Sequence, residues 1–513
     1  SPLVSYRAAT AQEVTIDAAI DPAGDGRGTV TVGGDTWGVV TTSGTLDGRT
    51  AALDAGGSLV LFPVPDGADA DALMGSAAPL ASVTTAYAAT EDGQETTLTY
   101  VTESGDPTLV VPLPHQTGAA DCGDPAFSTI YGDVPLCDTG ELRFTTAAGT
   151  AAPALDLSGI SDEEHAELSA QLKEDVAATE TFAADTYFGG KSLYRAAMLL
   201  QLARQLDDQE SAESLTADLT EALDRWTEPG GCDARGQECF VFDPALGTVV
   251  GLAPSFGSEE GNDHHFHYGY FLYAAAIVAQ EDPSLTERWA PVLDVLAADI
   301  ATAPGTDTGF PALRAFDPYF SHSWASGYSP FADGNNQESS SEAVTAWAGL
   351  SLWASASGDA ELGNLAAWLL SAETASALAY WVNPDLSGDQ FSAFGHDLVS
   401  INWGGKRDFA TWFSPEPSAV IGIQLVPMAP SSNYLGSEAA GGPEQIGRLL
   451  DAAAPDGYDV MFGDFLLMYR SLAGGDEARA ALEEARTLPD ERIDDGDSRA
   501  YLLAYILSNT SRG

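Results

Sequence analysis

The pattern of apolar residues changes near residue 160, and this change constrains the fold more than any other feature of the chain. Up to about residue 110, short alternating or β-branched runs are divided by Gly, Asp and Pro. These runs predict strands at Thr15–Asp17, Gly28–Val32, Ser58–Phe62 and Thr96–Val101. Their spacing predicts an antiparallel sandwich. The pattern is mixed from residue 109 to about residue 157.

Helical patterns dominate from Ser161 onward. Ser161 precedes three acids, Asp162 to Glu164, and this order is typical of the first turn of a helix. The same apolar spacing predicts further helices at Tyr194–Ala203 and near 265–280, 285–303, 339–357, 359–383, 445–454, 458–473, 475–487 and 498–508. Helices of this length, joined by loops rich in Gly, Pro and aromatic residues, fit an α/α toroid whose loops form a cleft.

The charge of the chain excludes several kinds of partner. Its 76 acidic and 21 basic residues give a formal net charge of −55. Such a charge argues against nucleic acid and against an anionic membrane surface, whereas a neutral ligand is tolerated. We find no apolar run of membrane-spanning length in the sequence. A chain of 513 residues exceeds what one core usually serves, so we expect at least two domains.

The cysteines form two close pairs in the sequence, Cys122 with Cys137 and Cys232 with Cys239. Close pairs within loops rich in Gly and Asp suit local disulfides in an oxidising compartment. The alternative is that these cysteines bind zinc, but neither pair has the C-x-x-C spacing that is common in zinc sites. The chain begins with Ser-Pro rather than Met, and we read it as a processed or truncated secreted protein.

The segment Gly261–Phe271 concentrates chemistry at the start of a predicted helix. It contains three of the seven histidines together with Asp263, and the apolar run Leu272–Ala279 follows it. Short polar side chains at Asn262 and Asp263 favour a helix start at this point. We therefore expect an acid and several imidazoles at the N-terminal end of a buried helix, where they could form a functional site in a cleft.

A second acidic segment runs from Asp333 to Val344. Ser339 and Glu342 have the spacing of a capping box, so the Glu342 carboxylate has a structural use at its own helix. Glu338 stands just ahead of that cap and has no such use. Two acids at two helix mouths match the requirement of glycosidic hydrolysis, in which one gives a proton and the other activates water or attacks.

Aromatic loops surround these acids in the sequence. Phe320–Tyr328 and Asn402–Phe413 combine several rings with hydrogen-bonding side chains. Exposed rings can stack on sugar faces while polar neighbours bind hydroxyls. The alternative for any single tryptophan is that it anchors its loop to the core.

Several of these segments together resemble glycoside hydrolase family 81, the endo-acting β-1,3-glucanases. The resemblance covers roughly residues 105–440 in order, and it rests on the segments Tyr187–Ser192, Asn262–Tyr273, His322–Gly327, Gln337–Val344, Trp403–Phe413 and Gly422–Met428. It implies a multidomain α+β protein with a β-sandwich at 1–108, a small α/β linking domain at 109–160 and a catalytic (α/α)₆ barrel at 161–513. The segment before Pro114 is shorter than in the family, so we expect a reduced or incomplete sandwich.

The resemblance also implies an activity and the residues that perform it. The expected activity is inverting hydrolysis of β-1,3-glucan by a secreted, monomeric enzyme that needs no metal or other cofactor. Asp263 corresponds to the acid, Glu338 to the base and Glu342 to a further carboxylate. The candidate substrate-binding residues are His264, His267, Tyr268, Tyr270, His322, Trp324, Gln337, Trp403, Lys406, Asp408 and Trp412.

The chemistry places a condition on the two acids. Asp263 must hold a proton at a pH at which Glu338 is ionised. A helix N-terminus lowers the pKa of a carboxyl group, so the pKa of Asp263 must be raised by burial against rings such as Phe266 or Tyr268 and by nearby negative charge. We expect the imidazoles to bind sugar or neighbouring groups rather than to titrate.

Two other classes of protein compete with this interpretation. A metallohydrolase could use His264, His265 and His267 with Asp263, because His-x-x-His spacing can present two imidazoles to one ion. Zinc hydrolase motifs, however, usually carry their base between the histidines. A non-catalytic glucan-binding protein would keep the aromatic loops but could dispense with the paired acids.

Overall fold

The computed structural model describes residues 1–116 and 118–511, and it divides into two compact units. The first unit comprises Ser1–Thr90, Glu95–Thr145 and Asp385–Ala393. Its described part contains one α-helix, α1 (Ala70–Ser76), and a short 3-10 helix at Asp389–Phe391, and strands form most of its regular structure. These strands are β1 (Val4–Arg7), β2 (Gln12–Thr15), β3 (Asp21–Gly24), β4 (Arg27–Val32), β5 (Asp35–Thr41), β6 (Gly44–Asp47), β7 (Thr50–Leu53), β8 (Ser58–Pro63), β9 (Leu80–Ala89), β10 (Gln94–Thr102), β11 (Thr108–Val110), β12 (Ala126–Thr129), β13 (Gly132–Pro135), β14 (Cys137–Thr139) and β15 (Glu141–Thr146).

The strands of the first unit form several sheets, of which the two that contain β1 and β2 are antiparallel. One sheet has the order β1-β8-β5-β4-β3, and β2-β7-β6 and β15-β10-β9 form two others. Val30 and Val39 of the first sheet share a buried cluster with Ala51 and Leu53 of the second. Burial of these apolar side chains is what makes short strands of this kind stable.

The strand predictions agree with this unit at most positions. The runs predicted from Gly28, Ser58 and Thr96 coincide with β4, β8 and β10. The run predicted at Thr15–Asp17 overlaps β2 at Thr15 only, because β2 begins at Gln12 and ends at Thr15. The sequence missed several strands that are only partly buried, among them β9, because strands without a buried face lack a strong apolar alternation.

The second unit comprises Glu91–Gln94, Thr146–Pro384 and the chain from Phe394 onward, and it is mainly helical. Its helices are α2 (Asp162–Ala177), α3 (Thr186–Gln205), α4 (Gln209–Trp226), α5 (Gly231–Arg235), α6 (His264–Ala279), α7 (Pro283–Ile300), α8 (Ser340–Ser357), α9 (Ala360–Ala377), α10 (Pro417–Gly422), α11 (Gly442–Ala453), α12 (Gly463–Ser471), α13 (Gly475–Ala485) and α14 (Arg499–Asn509). Short strands lie in its loops: β16 (Phe240–Asp243), β17 (Thr248–Gly251), β18 (Phe316–Asp317), β19 (His322–Ser323), β20 (Asn336–Gln337), β21 (Ile401–Trp403) and β22 (Arg407–Asp408).

Two kinds of helix alternate in this unit. Every residue of α6 is buried, and α6 packs against α3 and α8, which are themselves mostly buried. The neighbouring α4 and α7 are amphipathic, with one buried face and one polar face. The helices α3, α6 and α8 therefore form the interior of this unit, and the loops at their ends are fixed by buried helices.

The helix boundaries follow local sequence signals. Ser161 caps α2 in a full capping box with Glu164, as the acids after it suggested. The helix predicted at 458–473 is shorter, because Phe462 has a positive φ of 59° and α12 begins only after it. Within the helix predicted at 359–383, the α-helical part ends at Ala377, and one π-helical turn, Leu378–Val382, follows it.

The cysteine pairing is confirmed, with disulfides between Cys122 and Cys137 and between Cys232 and Cys239. Residues 109–160, predicted as a linking domain, are divided between the two units near residue 145. The division into three domains stays a prediction. No helix in the described part of the chain is both long and apolar enough to span a bilayer.

Candidate active site

Asp263 precedes the first residue of α6 in an unusual backbone conformation. Its φ is 57°, in the left-handed region, and its side chain accepts no capping hydrogen bond from the helix. This corrects the expectation that a short polar side chain caps the helix here. Its backbone N–H donates to the carbonyl of Ala325 at 2.8 Å. The strained conformation therefore leaves the carboxyl group of Asp263 free for other contacts.

The loop that holds Asp263 is fixed by close backbone packing. The Asn262 side-chain oxygen accepts from the N–H of Gly327 at 2.9 Å. A Cβ atom on Gly327 would lie 2.2 Å from the carbonyl oxygen of Glu260, so only glycine fits. Asn335 ties the same loop by accepting from the Ser326 N–H and donating to its carbonyl. The position of Asp263 thus depends on residues more than 60 positions later in the chain.

Glu338 lies between β20 and α8, just ahead of the N-cap residue Ser339. Its Oε1 accepts a hydrogen bond from the backbone N–H of Trp412 at 2.8 Å. The side-chain amide of Gln424 donates a hydrogen bond to the backbone carbonyl of Glu338 at 2.7 Å. Burial, with a further contribution from the charge on Glu342, raises the pKa of Glu338 to about 7 although the Trp412 N–H opposes the shift.

Glu342 forms only half of the predicted capping box. The Ser339 hydroxyl accepts from the Glu342 N–H at 3.2 Å. The Glu342 carboxylate instead accepts from the hydroxyls of Tyr270 at 2.6 Å and Tyr187 at 3.2 Å. Burial raises the pKa of Glu342, while these donors and the charge of Lys191 counteract the rise. Its carboxylate is therefore part of the site rather than a helix cap.

The three carboxylates line one cavity of about 430 Å³. Burial, together with negative charge on Glu342 and Glu338, raises the pKa of Asp263 well above its ordinary value. This matches the condition derived from the chemistry. The other residues that line the cavity are Tyr187, Phe256, Asn262, Phe266, His267, Ala325, Ser326, Phe331, Asn336, Ser339, Trp412, Phe413 and Ile423.

Aromatic side chains form one side of this cavity. Trp412 is 58% exposed, and its ring lies 5.6 Å from that of Trp403. Phe331 packs against both tryptophans, at 5.7 and 5.3 Å. The rings are held by the β20-β21-β22 sheet, which joins the loops that carry Glu338 and Trp412. An exposed indole held in this way can stack on a flat, neutral ligand.

Lys406 and Asp408 support this wall instead of lining the cavity. The Lys406 ammonium lies 4.9 Å from the Trp403 ring and 3.0 Å from the Asp408 carboxylate. Asp408 also accepts from the Trp403 indole N–H at 3.0 Å. Trp403 itself is buried, so these three predicted substrate-binding residues come together as a brace for the exposed Trp412.

Two predicted substrate-binding residues have their polar atoms bound elsewhere. The His264 ring contacts Asp299 at 2.9 Å through Nδ1 and the Ser258 carbonyl at 2.8 Å through Nε2. The Tyr268 hydroxyl donates to the Val249 carbonyl at 2.5 Å. Both side chains are buried outside the cavity lining, where their bonds anchor α6 to β17 and α7, and direct binding of sugar by either stays a prediction.

His267 and Tyr270 lie at the site in different ways. The His267 Nδ1 contacts the Thr186 hydroxyl at 2.8 Å, and its Nε2 has no partner among the described residues. Burial, with smaller contributions from His264 and His265, lowers the pKa of His267 well below its usual range. His267 lines the cavity as a neutral ring, whereas Tyr270 lies behind the cavity and contacts Glu342.

The remaining predicted residues, His322, Trp324 and Gln337, lie outside the lining of the cavity. His322 is buried between Trp324 and Trp381, and burial lowers its pKa to about 4. The Trp324 indole donates to Asp317 at 3.4 Å. Gln337 is fully buried in β20.

The sequence reasoning missed several cavity residues. Tyr187 lies in a segment that carried the family resemblance, but no role was attached to it. Phe256, Phe331 and Phe413 are exposed rings at the cavity, and only their position in the fold distinguishes them from other surface phenylalanines. Asn336 accepts from the Trp412 indole at 3.4 Å and so helps to orient it.

The predicted metal alternative does not fit the geometry. His264 uses both ring nitrogens internally, and His265 stacks on Trp347 away from the cavity. Across residues 1–116 and 118–511, no group of three or more His, Cys, Asp or Glu side chains could hold a metal ion. The three imidazoles of the segment therefore do not converge on a common point.

A cleft with several carboxylates and exposed rings, formed by loops of a helical unit, is typical of polysaccharide hydrolases. The family model described as "Glycosyl hydrolase family 81 C-terminal domain" matches residues 159–503. The chain belongs to this family.

Solved and curated relatives agree with that assignment. A family 81 glycoside hydrolase from Clostridium thermocellum superposes with a TM-score of 0.88 at 28% identity, over 99% of this chain and 73% of that one. Two proteins named glucan endo-1,3-beta-D-glucosidase are also similar. The one from Acetivibrio thermocellus is 37% identical over 64% of this chain and 42% of its own length. The one from Thermobifida fusca is 34% identical over 70% and 47%. The chain thus spans less than half the length of either curated relative.

Proposed function

We propose that this protein is an endo-β-1,3-glucanase that uses Asp263 as general acid and Glu338 as general base. The observation that carries the proposal is the environment of Asp263. Its carboxyl group does not cap α6 but lies in a cavity shared with Glu338 and Glu342, and the pKa of Asp263 is well above its ordinary value there. A carboxyl group that keeps its proton can protonate a glycosidic oxygen, which is otherwise a poor leaving group.

The roles divide between the acids according to their contacts. Glu338 is oriented by the Trp412 N–H, and its second oxygen can accept a proton from water. That water would attack the anomeric carbon from the face opposite to the departing oxygen, which inverts the configuration. Glu342, held by two tyrosine hydroxyls, remains as a fixed negative charge that keeps the proton on Asp263.

The proposed substrate follows from the relatives and from the character of the cavity. The curated relatives are named as glucan endo-1,3-beta-D-glucosidases. Trp412 and Phe413 offer exposed rings, and His267 is a neutral polar group at the cavity. Such a lining suits an uncharged sugar chain such as laminarin, curdlan or fungal wall glucan. A strongly acidic protein gains nothing electrostatically from a neutral ligand, so affinity should depend little on salt.

We also propose the finer architecture and the location of the enzyme. The alternation of buried helices such as α3, α6 and α8 with amphipathic ones such as α4 and α7 supports an (α/α)₆ barrel. The cluster shared by two sheets of the first unit supports a β-sandwich. Two disulfides support a secreted protein, and we expect it to act as a monomer.

The decisive experiment is product profiling on curdlan and laminarin beside cellulose and mixed-linkage glucan. We expect rapid release of laminarioligosaccharides of several lengths and little product from cellulose. Asp263→Asn is the control for contaminating glucanase and should abolish release. Equal rates on cellulose would overturn the substrate. Binding of laminarin without hydrolysis would favour the non-catalytic alternative.

A further inference from the structure

Lys191 is a buried lysine close to the proposed site that the acid/base mechanism does not use. It lies on α3, one helical turn after Tyr187, and is only 6% exposed. Its ammonium lies 2.5 Å from an Asp494 carboxylate oxygen and 5.7 Å from the Tyr187 ring centre. Lysine is almost never buried to this extent without a paired charge, and Asp494 supplies that charge here.

The ammonium is held by a short turn that follows α13. The Asp494 oxygen that contacts Lys191 also accepts from the Gly496 N–H at 2.8 Å. The Asp494 N–H in turn donates to the buried Asp464 at 2.7 Å. A Cβ atom on Gly496 would lie only 2.5 Å from Lys191 Cε, so the turn closes directly onto the lysine stem. Lys191 therefore has little freedom to turn away from the helix bundle.

Tyr187 places Lys191 near Glu342: the Lys191 ammonium lies 5.7 Å from the centre of the Tyr187 ring, and the Tyr187 hydroxyl donates to the Glu342 carboxylate at 3.2 Å. The positive charge of Lys191 counteracts the rise in the pKa of Glu342 that burial causes. In the opposite direction, burial tends to lower the pKa of Lys191, but the charges of Asp494 and Glu342 outweigh it and raise the value. Lys191 on α3 and Glu342 on α8 therefore favour each other's charged state.

Among the described residues, the other groups found to act on Glu342 are hydroxyl donors and acids. Tyr187 on α3 and Tyr270 on α6 donate to it. Asp263 before α6 and Glu338 before α8 are coupled to it by repulsion. Among the described groups that shift its pKa, the one positive charge is Lys191.

We infer that Lys191, seated by Asp494 and Gly496, is a positioning residue that keeps Glu342 ionised and through Glu342 keeps the proton on Asp263. This inference rests on the proposed function, because it assigns a purpose to the charge of Glu342 in that mechanism. Lys191 touches neither the substrate cavity nor a reacting atom, and it acts only through the neighbouring carboxylate.

The direction of the effect follows from the charges. Without Lys191, the buried Glu342 takes up a proton and loses its charge. The repulsion that Glu342 exerts on Asp263 and Glu338 then disappears, and the pKa values of both carboxyl groups fall. Both limbs of the pH profile of kcat/KM should therefore move to lower pH. A lysine that merely paired with Asp494 to stabilise the fold would lower thermal stability without moving either limb.

The experiment measures kcat/KM on laminarin from pH 4 to pH 10 for the full chain and for Lys191→Met. We expect the alkaline limb to move down by about one pH unit, the size of effect typical of a nearby opposite charge. In a Glu342→Gln background, the same lysine substitution should cause no further shift, because the residue through which it acts is already neutral. Where hydrolysis by these variants is too slow, calorimetric binding of laminarihexaose at each pH gives the comparison.

Gly496→Ala is the second probe, because it displaces the Lys191 stem while keeping its charge. The φ of Gly496 is not in the left-handed region, so alanine introduces no backbone strain there. We expect a smaller shift in the same direction. Superimposable profiles for the wild type and a folded Lys191→Met variant would overturn the inference. If Lys191→Met does not fold, an unshifted profile for Gly496→Ala would overturn it. Failure of the wild-type protein to hydrolyse laminarin would instead refute the proposed function.

Discussion

The backbone N–H of Trp412 donates to the carboxylate of Glu338 at 2.8 Å, so the proposed base is tied to the most exposed tryptophan beside the cavity. The bond uses the main chain rather than the indole, whose N–H is directed to Asn336. Orientation of the base and stacking of the ring are therefore separate properties of one residue, and substitution can separate them.

Trp412→Ala should remove the ring and keep the N–H that orients Glu338. We expect KM for laminarin to rise about two- to tenfold, since loss of a stacked ring costs about 0.5–1.5 kcal/mol. The pH dependence of kcat should stay unchanged. Steady-state kinetics across pH test this, with Trp403→Phe as a control that alters a buried ring of the same wall. A large loss of kcat at unchanged KM would show that the ring acts on chemistry instead.

Asp263→Asn and Glu338→Gln should each give a folded protein that binds laminarioligosaccharides but hydrolyses laminarin several orders of magnitude more slowly. The neutral amides keep the size of the carboxyl groups and remove the proton donor or the base. Calorimetric binding and a thermal melt establish that the site is intact. Near-normal hydrolysis by Asp263→Asn would refute the assignment of the acid.

Tyr270→Phe should reduce kcat more than Tyr187→Phe does. The Tyr270 hydroxyl is fully buried and donates to Glu342 at 2.6 Å, whereas the Tyr187 donor is longer at 3.2 Å. A hydrogen bond to a charged group contributes about 1.5–3 kcal/mol, so the first change is expected to cost roughly ten- to a hundredfold. Equal effects of the two substitutions on kcat would indicate that Glu342 is not held through these bonds.

Glu338 should make the folded state less stable as the pH rises. Its pKa is about 7 in the folded protein, compared with about 4.3 in an unfolded chain, so the native state binds the proton more tightly. Stability is therefore lost between these two values and the loss is complete above about pH 7. Glu338→Gln should match the wild type near pH 4 and be more stable at pH 8, by at most about 4 kcal/mol.

Urea unfolding of both proteins at pH 4, 6 and 8 measures this difference. Glu338→Asp is a useful companion, because it keeps a titrating group at the same position. A constant difference between wild type and Glu338→Gln at all three values would mean that Glu338 titrates normally in the folded protein.

Proton NMR of fresh digests should show the α-anomer of the new reducing end first. This outcome requires the acid and base to be about 6.5–9.5 Å apart, with room for a water molecule, compared with about 5–5.5 Å for a retaining pair. The spectra need to be recorded before mutarotation equalises the anomers. Initial appearance of the β-anomer would mean retention and would refute the role of Glu338 as base, even if every residue named here proved essential.

Local patterns in the sequence were enough to identify the elements that carry the site. The acids after Ser161, the Ser339 to Glu342 spacing and the apolar run after Phe271 predicted where α2, α8 and α6 begin or lie. The cysteine pairing was also predicted, because partners only 15 and 7 positions apart in the sequence have a short segment to close. These signals are local, since capping, periodicity and short loops involve residues that are neighbours along the chain.

The chemical character of each side chain was decided only by the tertiary structure. His264 and His267 lie three residues apart, yet Asp299 binds the first and the second faces the cavity. The sequence spacing of Glu342 suited a helix cap equally well, but in the structure its carboxylate accepts hydrogen bonds from hydroxyls on α3 and α6. The partners in these contacts lie 35 to 155 positions away in the chain. Burial and the field of distant charges set the pKa of a carboxyl group, and no local sequence pattern specifies either quantity.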